Sequence, residues 1–167
     1  TDSNGKTLKS GRMKTISEIK AEFATSEMSS YPALYEKYKD DTRSGVQKLI
    51  EQCHKKEAAL EAEKQRIEGM KVYEHKYEHL GYLCGIDEVG RGPLAGPVIA
   101  GAVILPKDCN ILYINDSKQL SEKKREELFE EITEKAIAYN IFSVDEKRID
   151  EINILNATYE AMNGAVN

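Results

Sequence analysis

YLCGIDEVGRGPLAGPVIAGAVIL, Tyr82 to Leu105, is the stretch that decides the fold of this chain. Tyr82–Val89 predicts a strand, Gly90–Pro97 a turn and Val98–Leu105 a second strand, which Pro106 ends. Inside it, Gly85-Ile86-Asp87-Glu88-Val89-Gly90-Arg91-Gly92 delivers two adjacent carboxylates from an apolar run. Charge in apolar surroundings is costly, so the pair calls for a metal ion, a proton or an arginine. Alternation in a straight strand puts Asp87 and Glu88 on opposite faces, although a strand ending at Val89-Gly90 lets the turn re-aim Glu88. A carboxylate cluster is the hard oxygen site that Mg2+ or Mn2+ takes. The plainer alternative is an acidic pair held by Arg91.

The turn adds a second element. Glycines at 90 and 92 permit close backbone approach and leave peptide N–H groups open to an anion or a sugar hydroxyl. Arg91 can clamp a phosphate or pair with a carboxylate. GRGPLAG has neither the spacing of GxGxxG nor the GK[ST] of a P-loop, and a strand follows it, which argues against nucleotide-cofactor binding. Asp116-Ser117-Lys118 stands at a loop–helix junction, where a hydroxyl and a lysine make a phosphate anchor or an ordinary helix cap.

Working outward, Ser121 caps a predicted helix with Leu128, Phe129, Ile132, Ala136 and Ile137 on its inner face. Tyr139–Val144 is a third strand, Asp145 an acidic cap, and Asn153 introduces a last amphipathic helix. The order is β-β-α-β-α, and mixed sheets usually carry more strands. Residues 81–167 are therefore expected to be the front half of a larger α/β domain, incomplete at the C-terminus. On the other side, residues 13–80 are expected to form a small helical domain. It holds short helices near Ile16–Phe23 and from Tyr31, with Pro32 in the first turn, then one long amphipathic helix over Arg43–His79 or two broken near Gly69. Residues 1–12 read as a flexible lead-in.

Net charge is −5, but unevenly spread: residues 1–80 carry 15 basic and 14 acidic side chains, residues 81–167 carry 9 and 15. An acidic half binds phosphate poorly unless a divalent cation inverts the local field. Cys53, Cys84 and Cys109 are odd in number and form no CxxC pair, which argues against a disulfide scaffold and for a reducing, cytoplasmic setting. No apolar run approaches a membrane span.

Three segments occur together and in one order: GIDEVGRGPLAGPV from Gly85, DSKQLS from Asp116, and IDEINILNAT from Ile149. In these the chain resembles type 2 ribonuclease H, the bacterial ribonuclease HII family, over residues 81–162. Residues 13–80 resemble that family's N-terminal extension. The resemblance implies an RNase H-like mixed sheet with flanking helices. It also implies endonucleolytic cleavage of RNA in RNA–DNA hybrids and at single ribonucleotides embedded in duplex DNA, by two-metal hydrolysis with Mg2+ or Mn2+.

By the same resemblance Asp87 and Glu88 are metal-binding, catalytic carboxylates, Gly90, Arg91 and Gly92 read the ribose 2′-hydroxyl, and Ser117 with Lys118 contacts backbone phosphate. Two further carboxylates are expected beyond Asn167, so the chain alone is expected to lack a complete active site and strong activity. The competing readings are a nucleic-acid-binding module without catalysis and a structural helical arm; residues 13–80 serve substrate binding in the first and packing in the second.

Overall fold

The computed structural model describes residues 12–92 and 95–167. Apart from Arg12, the expected lead-in lies outside the described residues. By compactness the chain divides into two units, residues 1–62 and 63–167.

The first unit is built from α1 (Ile16–Thr25), α2 (Tyr31–Tyr38) and the front of α3 (Ser44–Met70). Thr15 starts α1 with a capping box: its hydroxyl accepts the Glu18 N–H, and the Glu18 carboxylate accepts the Thr15 N–H at 2.7 Å. Proline in the first turn of α2 costs no intrahelical hydrogen bond. Ile19, Phe23, Tyr31, Leu34, Tyr38, Val46 and Cys53 form the core, with the Phe23 and Tyr31 rings edge to face at 5.5 Å.

Over this core sits Glu22, which accepts from the Tyr38 hydroxyl at 2.6 Å and pairs with Lys14 and Lys37. Lys14, Lys37 and Tyr38 together hold its carboxyl down at about 2, against an ordinary 4.5. A depressed carboxylate contributes stability above its ordinary value, and that contribution is lost as pH falls from 4.5 through about 2. Glu22→Gln is expected to destabilise this unit by roughly 1–3 kcal/mol at neutral pH. Its acid unfolding should also flatten across that window, read by circular dichroism against pH; an unchanged acid limb would remove Glu22 from the account.

The second unit contains the end of α3, α4 (Val72–Tyr77), β1 (Cys84–Val89), β2 (Val98–Ile104), α5 (Glu122–Lys135), β3 (Ala138–Val144) and α6 (Glu146–Val166). The long helical stretch is thus broken, at Lys71, two residues past Gly69. Ser121 and Asp145 cap α5 and α6 as their positions predict, the Ser121 hydroxyl accepting from Lys124 N–H at 3.3 Å and Asp145 from Arg148 N–H at 2.8 Å. On α5 only Leu128 is buried; Phe129, expected on its inner face, is exposed, and Ala136 and Ile137, expected there too, fall past its end at Lys135, with Ile137 exposed. Asn153 kinks α6 with φ 66° and ψ 162°, and its side chain caps the second half by accepting from Leu155 and Asn156 N–H, each at 3.1 Å.

The described sheet has the order β1-β2-β3 and is antiparallel at both pairings, so the expected mixed sheet is corrected. Val98, Ala100 and Ala102 recur every second residue on β2, and Ala157, Ala161 and Ala165 every fourth on α6; with Val144 they form the core. Small residues on both sides let helix and sheet approach closely. Where Phe142 of β3 meets α6 there is no room even for a methyl: a Cβ at Gly164 would stand 2.4 Å from its ring. Strand count is thus a poor guide to incompleteness, because three strands packed against a helix already enclose a core.

Candidate active site

The register of β1 on β2 fixes where the two carboxylates point. Glu88 pairs with Ala100 and Asp87 with Gly101, and directly paired residues share a face. Ala100 is buried against α6, so Glu88 lies on the helix-covered face, and Asp87 lies on the open one. The strand stays regular through Val89, which pairs with Ile99, and the turn does not re-aim Glu88. Asp87 is exposed and Glu88 half-buried. The Asp87 Oδ1 accepts the Glu88 N–H at 2.9 Å, and the Glu88 Oε1 lies 3.6 Å from the Arg91 Nη1.

The turn after β1 depends on one glycine far more than on the other. Gly90 has φ 92°, and a Cβ there would stand 2.2 Å from the Pro97 carbonyl oxygen. Gly92 has an ordinary φ, and a Cβ there would meet no atom of the described residues within 4 Å. Among the described residues the fold needs glycine at 90 and shows no such need at 92. Arg91 is half exposed, and the long ion pair it makes among the described residues leaves most of the guanidinium open to solvent.

Ser117 and Lys118 lie on a 3-10 turn, Ser117–Gln119, with both side chains exposed. Asp116 caps this turn by accepting the Lys118 N–H at 2.9 Å, and the Ser117 carbonyl accepts from the Arg125 Nη1 at 3.4 Å. Among the described residues no hydrogen bond or ion pair joins Ser117 or Lys118 to Asp87, Glu88 or Arg91. A cavity of about 520 Å3 at the Cys84 end of β1, lined by Tyr73, Val103, Leu105 and Cys109 among others, includes neither Asp87 nor Glu88.

Asp87 and Glu88 are oxygen donors of the type a hard divalent ion takes, and both carboxylates reach solvent. On donor chemistry they fit such an ion as partial ligands. No group of three or more metal-ligating side chains converges among the described residues. A position the sequence reading passes over is Gly101, directly across from Asp87. Its one signal in the sequence is a glycine inside an otherwise β-branched and alanine-rich run.

The Ribonuclease HII N-terminal domain model matches residues 15–78, and the Ribonuclease HII model matches residues 84–167. The chain belongs to the Ribonuclease HII family. It is 57% identical over 152 residues to Ribonuclease HII of Lachnoclostridium phytofermentans, covering 91% of this chain and 60% of the relative. Against Ribonuclease HII of Clostridioides difficile it is 47% identical over 156 residues, covering 92% and 61%. The chain thus spans about three-fifths of the length of these relatives. The crystal structure of the ribonuclease H2 from Pyrococcus horikoshii OT3 aligns over 52% of this chain and 44% of that one, at 32% identity and a TM-score of 0.42.

The family match overturns the expectation of a truncated, front-half catalytic domain that is incomplete at its C-terminus. The Ribonuclease HII model matches from Cys84 through Asn167, so every element from β1 to α6 is assigned to it. The RNase H-like fold with a small helical N-terminal domain stands on that membership. The expectation that the chain lacks a complete active site, and so strong activity, falls as well. It rests on where the chain stops, which carries no information about what the folded domain does. Family membership implies dependence on a divalent metal. No helix among the described residues is long and apolar enough to cross a membrane.

Proposed function

We propose that this chain belongs to an endoribonuclease that cleaves RNA in RNA–DNA hybrids and at single ribonucleotides embedded in duplex DNA, by two-metal hydrolysis with Mg2+ or Mn2+. The observation that carries the reading is the pair Asp87–Glu88 followed at once by Gly90-Arg91-Gly92, within the segment that the Ribonuclease HII model matches. Bound divalent ions supply Lewis acidity, which favours the attacking water and the charge that develops on the phosphate. Asp87 and Glu88 are the carboxylates that would hold these ions, each as a partial ligand from its own face of β1.

Gly92 exposes backbone where no atom of the described residues would meet a side-chain methyl, which supports its reading a ribose 2′-hydroxyl. Gly90 sets the direction of that backbone, and the solvent-open guanidinium of Arg91 is free for the neighbouring phosphate. Ser117 and Lys118, exposed on a capped turn, suit a backbone-phosphate contact further along the duplex. Residues 13–80 form the helical N-terminal domain, for substrate binding or packing, and residues 81–167 the catalytic domain. Three free cysteines suit work in the reducing cytoplasm.

The test is cleavage of a labelled DNA duplex with and without one internal ribonucleotide, in Mg2+, Mn2+ or EDTA. Cutting that requires both the ribonucleotide and a divalent ion is the expected result. Equal cutting of the all-DNA duplex would overturn the reading.

A further inference from the structure

Some glycines of the second unit are demanded by its packing. Gly90 has the left-handed φ and faces the Pro97 carbonyl, and Gly164 lies against the Phe142 ring. Gly101 is the opposite case. It sits in the interior of β2, the middle strand, where a β-branched residue packs best and glycine is the weaker choice. Its φ is not positive, it is exposed, and a Cβ there would meet nothing within 4 Å. Nothing among the described residues gives it a structural reason.

Its position gives it another. Gly101 pairs with Asp87 on one side and Ile141 on the other, all on the face of the sheet that α6 leaves open. Along β2 the neighbours on that face are Ile99 and Val103, which stand about 7 Å to either side at strand spacing. The missing side chain therefore leaves a notch floored by backbone, walled by two β-branched residues, with the Asp87 carboxylate at its side. Gly85, two residues before Asp87 on the same face, adds no side chain either. An acidic rim repels a bare phosphate and accepts one that arrives with a divalent cation.

We propose that Gly101 is an access-determining residue: it keeps the sheet surface beside Asp87 clear for the cation-bearing phosphodiester of the substrate. This rests on the nuclease reading given above. The signature that separates access from structure is opposite movement of stability and function. A side chain at 101 fills open space on a strand, so the folded state tolerates or gains from it, while the substrate loses its seat.

The experiment compares wild type, Gly101→Ala and Gly101→Val. It measures thermal unfolding, affinity for a labelled ribonucleotide-containing duplex in Ca2+ under conditions where no cleavage occurs, and cleavage of that duplex in Mg2+. Expected are unfolding temperatures equal to or above wild type, with cleavage reduced several-fold by alanine and more than tenfold by valine, and affinity weakened in the same order. A Gly101→Val protein that cleaves and binds as wild type does overturns the inference while leaving the nuclease reading intact. So does a lowered unfolding temperature in both variants, which makes the glycine structural. A wild-type protein that fails to cut the ribonucleotide-containing duplex overturns the nuclease reading, and this inference with it.

Discussion

Asp87→Asn is expected to lower cleavage of a ribonucleotide-containing duplex by at least about a hundredfold, the scale on which one transition-state electrostatic contact counts. Affinity for that duplex should change only two- to threefold, by an order-of-magnitude expectation for an exposed single-charge change. The substitution is clean for a structural reason. Asp87 is exposed, and among the described residues its side chain accepts one hydrogen bond, from the Glu88 N–H to Oδ1, which an asparagine carbonyl oxygen can also accept. Stability should therefore hold while the charge that a divalent ion requires is removed. The measurement is single-turnover cleavage alongside equilibrium binding in EDTA. Undiminished Mg2+-dependent cleavage by the variant would remove Asp87 from the metal site and leave the assignment without its carrying residue.

The second large effect is on folding. Gly90→Ala places a Cβ 2.2 Å from the Pro97 carbonyl oxygen, at a residue whose φ is 92°. Backbone cannot yield as a flexible side-chain tip can, and the left-handed conformation carries its own penalty of roughly 1–3 kcal/mol. Clash and conformation together should cost about 3–5 kcal/mol. For a unit of about 100 residues that lowers the unfolding temperature by more than about 10 °C. Gly92→Ala is the matched contrast. Among the described residues the same methyl two residues on meets nothing within 4 Å, so the unfolding temperature should stay put while discrimination between ribose and deoxyribose weakens. Calorimetry of both variants decides the matter: equal unfolding temperatures would show that the turn does not lean on Gly90.

The pattern of this chain carried much of that site in advance. An apolar run ending in Asp87-Glu88 and a glycine-flanked arginine is local information, and strand, turn and strand followed from it within a residue or two at each end. Ser121 and Asp145 were legible as helix starts for the same reason, since a cap acts on the N–H groups two or three residues away. Phe129 and Ile137 were not legible. They carry the spacing of an inner face, but burial depends on what stands opposite, and only Leu128 of α5 finds a buried place. The antiparallel sense of β2 and β3, joined through α5, was equally hidden, because a helical connection does not by itself set the direction of the returning strand.

Local chemistry thus determined the carboxylate pair, the turn behind it and the caps at Ser121 and Asp145, all of which follow from neighbours along the chain. Pairing across strands decided the rest. Only the register tells that Glu88 turns toward α6 and Asp87 toward the open face, and that Gly101 leaves space beside it. Only the return of the chain at Pro97 tells that Gly90 is fixed by its own fold and Gly92 is not. The physical reason is the same in each case: a side chain's freedom is set by the atoms that come to face it, and those atoms are far away in sequence.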